Sequence, residues 1–262
     1  MVAAPNLHTL SLRNVHPAAL FVPLLKNLAI EPDELLALSS VIWDESDALD
    51  DNGYWVNEKC WRDDLIPILA QLPSVSSLSV IGPHLLLEHQ APHQLKLEHI
   101  TQVSFVVNSA TWLWNQPDWL LRFASLFPNL QHLHASYALH SSLPTARSFP
   151  NLQSLTLDVL DHITEINVEG HLQGTIISDK LPALLNRLVL RLPSLYSLSP
   201  SQASEIRTLW HRQSHRCFLG WIPGHSGLQT VEIHCDSSRW VYLKDNVWFG
   251  FYDESIGPEW SE

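Results

Sequence analysis

The sequence predicts an α/β solenoid, with parallel strands on a concave face and helices or loops on the convex face. Three observations carry that prediction. A phrase recurs as Pro5-Asn6-Leu7-His8-Thr9-Leu10-Ser11-Leu12, Pro128-Asn129-Leu130-Gln131-His132-Leu133-His134-Ala135 and Pro150-Asn151-Leu152-Gln153-Ser154-Leu155-Thr156-Leu157. Its apolar-x-x-apolar-x-apolar pattern, relaxed to admit Val, Ile and Trp, also fits Leu38/Val41/Trp43, Val75/Leu78/Val80, Ile100/Val103/Phe105, Leu185/Leu188/Leu190 and Leu228/Val231/Ile233. Successive phrases begin between 22 residues apart (Leu130 to Leu152) and 43 apart (Leu185 to Leu228), an irregular interval suited to one strand plus one return segment.

This pattern is the signature of a leucine-rich repeat, and its physics is that of a strand. Successive side chains alternate across a strand, so the fourth and sixth residues of each phrase share one face and the third, fifth and seventh share the other. One unit cannot bury its apolar face alone, so neighbours stack in parallel and share a continuous core. The expected core is Leu10, Leu12, Val41, Trp43, Leu78, Val80, Val103, Phe105, Leu133, Leu155, Leu157, Leu188, Leu190, Val231 and Ile233.

Helical signals lie between the strands. Leu20, Phe21, Leu24, Leu25 and Leu28 have helical spacing across Pro17 to Leu28, with a limit or kink at Pro23. Leu65, Ile68, Leu69 and Leu72 repeat that rhythm across Trp61 to Leu72. Asp118 is an N-cap for a helix from Trp119 to Phe127. The Pro-Asn-Leu phrase then acts as punctuation: proline stops the outer helix and disfavours helix in the residue before it.

The whole chain, 1–262, is expected to form a single solenoid. Residues 191–227 read as an enlarged repeat or insertion, with a helix from Ser201 to His215 capped by Ser199 or Ser201. Residues 236–262 read as an aromatic C-terminal cap, with a hairpin from Arg239 to Tyr252 turning at Asp245-Asn246.

With their uneven lengths and the Phe/Leu-Pro-Asn-Leu phrase, the repeats resemble the leucine-rich-repeat regions of fungal F-box proteins, from about Pro5 to Ile233. In that family the F-box recruits the adaptor of a cullin-type ubiquitin ligase and the repeats select the substrate. The first repeat here starts at Leu7, without room for an F-box ahead of it, so the resemblance implies the substrate-recognition half and no adaptor binding. The Asn that commonly follows the strand in extracellular-type repeats occurs once in register, at Asn108, so no asparagine ladder is expected to hold the turns.

Charge narrows the partner. With 15 Lys and Arg against 27 Asp and Glu, the formal charge of -12 opposes a phosphate backbone, so nucleic acid is not an expected partner. The first residues lack a signal-peptide pattern, and no stretch approaches the roughly 18 apolar residues of a membrane span. Three cysteines, an odd number, and the lack of an Asn-x-Ser/Thr acceptor suit a reducing compartment, cytoplasmic or nuclear.

The face opposite the core is the expected binding surface, and the partner is expected to be a protein. Its recognition-competent groups collect in the middle and C-terminal half: His132, His134, Asp158, Arg187, Arg191, Glu232 and His234. The arginines suit bidentate contacts to a carboxylate or phosphate, with the others as adaptable neighbours.

Catalytic and cofactor patterns are missing. Gly224-His225-Ser226-Gly227 falls short of a nucleophile elbow, and the chain contains neither a P-loop, an H-E-x-x-H helix nor a glycine-rich dinucleotide turn. The acidic run Asp44 to Asp51 fails as a calcium loop, having Ala48 and Lys59 where the register needs acids. His211, His215, Cys217, His234 and Cys235 lack closed zinc spacing. The expectation is therefore a protein that is not an enzyme and holds no cofactor or metal. The alternatives are a metal-dependent or small-molecule enzyme using the His-rich C-terminal half, and a truncated paralogue without its own binding function.

Overall fold

The computed structural model describes residues 7–13, 37–44, 66–81, 96–106, 124–137, 147–159, 181–192, 199, 201, 202, 204, 205, 208, 227–235, 238–243, 250–253 and 257–260. Each of the eight phrases forms a strand: β1 (Thr9–Arg13), β2 (Ser40–Asp44), β3 (Ser77–Ile81), β4 (Gln102–Val106), β5 (His132–Tyr137), β6 (Ser154–Val159), β7 (Arg187–Arg191) and β8 (Thr230–Cys235). They pair in parallel and in chain order. The sheet continues through β9 (Ser238–Leu243), β10 (Gly250–Asp253) and β11 (Gly257–Trp260), all antiparallel.

The register aligns the repeats residue for residue. Leu10, Val41, Leu78, Val103, Leu133, Leu155, Leu188 and Val231 form one row across the parallel strands. Leu12, Trp43, Val80, Phe105, Ala135, Leu157, Leu190 and Ile233 form the next. From β2 to β8 every member of both rows is buried. A third buried row comes from the first apolar residue of each phrase, from Leu38, Val75 and Ile100 through Leu228, just before the strand. Each such side chain contributes about 1.5–3 kcal/mol by leaving water. Leu10 departs from the expectation of burial, being half-buried, because β1 has a paired neighbour on one side only. The side chain of Leu12 lies outside the described residues.

A repeated hydrogen-bond device joins the coils. The carbonyl of the residue before each strand accepts two N–H groups from the next coil, as in Ser39 and Ser40 to His8, or Gln131 and His132 to Thr101. The same pair recurs at every step through Gln229 and Thr230 to Asn186. Both lone pairs of each carbonyl are thereby satisfied where the chain enters the sheet.

The segment before each of β3 to β7 is a tight turn. Val75, Ile100, Leu130, Leu152 and Leu185 donate N–H to Leu72, Leu97, Phe127, Phe149 and Pro182, three residues back. Pro73, Pro128 and Pro150 occupy the second turn position, where their fixed φ is pre-set. The proline is thus a turn former more than a helix stop. At the third position Asn129 and Asn151 donate Nδ2–H to the carbonyls of Glu98 and Pro128, at 2.9 and 3.4 Å. Asparagines do link adjacent coils here, through the Pro-Asn-Leu residue instead of the post-strand position; Asn108 lies outside the described residues. Gly227 stands before Leu228 as Asn129 stands before Leu130, and a Cβ there would run into the carbonyl oxygen of Ala183.

The outer segments are only partly described. Of the expected Trp61 to Leu72 helix, the described part is α1, Ile66–Leu69, and residues 61–65 lie outside the described residues. It ends early because Leu72 bonds back to Leu69 and precedes Pro73, which disfavours the helical region. Of Trp119 to Phe127, Ala124 is helical and Ser125 and Leu126 already turn. Ser201, Gln202, Ser204, Glu205 and Thr208 are helical. Their cap is Ser199: its Oγ accepts from Gln202 N–H at 3.4 Å, and Gln202 Oε1 accepts from Ser199 N–H at 3.2 Å, a reciprocal capping box. The Pro17 to Leu28 helix and most of the 191–227 segment lie outside the described residues. The expected C-terminal hairpin is present as β9–β10, and its turn lies outside the described residues. Among the described residues no helix is long and apolar enough to cross a membrane.

Candidate interaction face

The strand face opposite the core carries the groups singled out from sequence. In one row β4 to β8 place Gln102, His132, Ser154, Arg187 and Thr230; the middle row holds Ser104, His134, Thr156, Val189 and Glu232. A third row aligns Ser136, Asp158, Arg191 and His234, with Arg239 of β9 at the next register position. Residues distant in sequence become lateral neighbours about 4.8 Å apart.

Two polar clusters result. In the first, His134 Nε2 lies 2.7 Å from Asp158 Oδ2, and Nδ1 lies 3.0 Å from the Ser104 hydroxyl. The short contact to a carboxylate assigns a proton to Nε2, so in the neutral ring Nδ1 accepts from Ser104. Arg191 Nη1 stands 3.6 Å from Asp158 Oδ1 and 3.4 Å from His134 Nε2. With that nitrogen's proton directed at Asp158, the latter approach is a contact of two donors held over one carboxylate. Asp158 Oδ1 is buried and accepts no hydrogen bond, so the arginine offsets its charge through space.

The second cluster centres on Glu232, which is 3% exposed. A buried carboxylate is costly unless paired and hydrogen-bonded. Arg187 donates Nε–H to Oε1 at 2.8 Å, and His234 Nε2 meets Oε2 at 3.1 Å. The guanidinium and imidazole remain open to solvent while the acid lies beneath them.

The structure therefore joins six of the seven expected residues into two networks. His132 is the exception: it is exposed, and its side chain makes no hydrogen bond or ion pair among the described residues. Ser104 enters the site unexpectedly, and the signal for it is the register that sets it opposite His134. The face is also less open than strand alternation predicts, because Val189, Glu232 and Ser136 are buried although they point away from the core rows. Alternation sets direction, and exposure depends on what else covers a position.

Hydroxyl, imidazole and carboxylate in series can polarise the Ser104 oxygen. A nucleophile there would also need donors aimed at a developing oxyanion, yet β4 lies between β3 and β5, whose ladders engage its backbone. Among the described residues no group of three or more His, Cys, Asp or Glu is placed to hold a metal ion. Comparisons with protein-family models, curated proteins and solved structures gave no match.

Proposed function

We propose that the chain is a non-catalytic protein-interaction module of the leucine-rich-repeat kind, similar to the substrate-recognition repeats of F-box proteins. Its partner is a protein that lies across the strand face of β5 to β8. His132, His134, Arg187, Arg191 and His234 contact it, and Asp158 and Glu232 hold the last four of these side chains in place.

One observation supports this reading above the others: two guanidiniums on one strand are each paired with a more deeply buried carboxylate, Arg187 through a hydrogen bond and Arg191 through space, while staying about half exposed themselves, at 48% and 52%. Fixing a long side chain before binding reduces the rotamer entropy lost on association. The parallel sheet supports it as well, since a stacked-strand face offers a partner a broad and rigid platform.

The test is affinity capture from native lysate with mass spectrometry, comparing wild type with the triple variant His132→Ser, Arg187→Ser, Arg191→Ser. Thermal unfolding first establishes that the variant is folded. Partners captured by wild type and lost by the variant support the reading. Identical captures, or none by either protein, overturn it.

A further inference from the structure

We infer that the partner presents an extended acidic segment carrying two carboxylate side chains about four residues apart, one for Arg187 and one for Arg191. The inference rests on the proposed binding role of this face and adds the chemistry of what it binds.

The first observation is the state of the donors. Arg187 uses Nε on Glu232 and Arg191 places Nη1 beside Asp158, while their other guanidinium nitrogens have no partner among the described residues. Each arginine therefore offers a preset pair of N–H groups to solvent, the geometry that matches a carboxylate bidentately.

The second observation is separation. Residues 187 and 191 lie on the same face of β7, roughly 13 Å apart at about 3.3 Å per residue. Their anchors lie on opposite sides, Glu232 on β8 and Asp158 on β6, so the two heads turn away from each other. One acidic group cannot reach both. An extended chain with acids at positions i and i+4 spans a similar distance.

The third observation is charge. Each guanidinium has one carboxylate behind it, so the outer surface is the positive end of an ion-pair dipole without a large net charge, on a chain of formal charge -12. A singly charged carboxylate draws on those outward donors, whereas a dianionic phosphate meets more repulsion from the acidic chain.

The experiment is fluorescence polarisation with the full chain and labelled ten-residue Gly/Ser/Thr peptides. They contain Asp at i and i+4, Asp at i and i+1, a single Asp, or phosphoserine at i and i+4. The expected result is that the i,i+4 Asp peptide binds about tenfold more tightly than the single-Asp peptide, and that Arg187→Lys and Arg191→Lys each weaken it about tenfold. Lysine keeps the charge beside Glu232 or Asp158, so these variants retain the ion pair, and thermal unfolding verifies their folding. Equal affinity for all Asp peptides, no binding of any, or tighter binding of the phosphoserine peptide overturns the inference. If native partners are still lost in the serine variant while the peptides fail, the acidic-segment inference falls and the binding role stands; if both experiments fail, both fall.

Discussion

Arg187 and Glu232 form a lopsided ion pair across β7 and β8: the donor Nε stands 2.8 Å from Oε1, with 48% of the arginine side chain exposed against 4% of the glutamate. Its weight lies on the buried side, because the carboxylate has lost its water and the guanidinium has not.

Arg187→Ala is therefore expected to destabilise the fold by about 1–3 kcal/mol, because Glu232 loses its guanidinium and is less well compensated, with His234 still at its other oxygen. Adding Glu232→Leu should recover most of the loss, since the buried charge goes with it. Urea unfolding of the two variants and wild type measures both effects. An unchanged midpoint in Arg187→Ala would show that the carboxylate does not depend on this pair.

Gly227→Ala is expected to destabilise by about 1–3 kcal/mol, because the added methyl meets backbone that no side-chain rotation can move aside. The usual effect of Gly→Ala on the unfolded chain has the opposite sign, about 0.4–1 kcal/mol of stabilisation where the conformation permits. A denaturant midpoint at or above wild type would show that close packing of Gly227 on Ala183 does not limit the fold.

His99 gives the fold a pH dependence. Burial lowers its pKa from the ordinary 6.5, a backbone hydrogen bond to Leu69 opposes this in part, and Nε2 is buried without a partner. The folded state thus favours the neutral ring, so this contribution is whole above about pH 6.5 and is lost as pH falls through the lower folded value. The difference in urea midpoint between wild type and His99→Leu is expected to shift against wild type between pH 8 and pH 5, because only wild type carries this loss. A difference that does not change across that range would remove His99 from the account.

The strands were legible because each phrase states its face, its period and its turn together. Leu133, Leu155 and Leu188 can be assigned to the core without knowledge of their neighbours, and all are buried. The pairing of polar groups was not legible in the same way. Ser104 and His134 are 30 residues apart in sequence and Arg187 and Glu232 are 45 apart, so their meeting depends on register set by other residues. The burial of Val189 and Glu232 had no local signal, because alternation carries no information about what covers a face. The antiparallel pairing of β8 with β9 has a weak signal, because Asp236-Ser237 lacks the Gly that marks the favoured two-residue hairpin turns.

The doubled carbonyl bond at each strand entry separates the pitch of the sheet from the length of chain between strands. Coils begun 22 residues apart and coils begun 43 apart, as at Leu130–Leu152 and Leu185–Leu228, dock through the same two N–H groups. Contour length outside the phrase is therefore a free variable: a residue gained or lost in a return segment ends there. The same change inside the phrase would slip the strand by one and turn its core residues outward. Variation in this molecule is confined by hydrogen bonding to the places where it does no harm to the sheet.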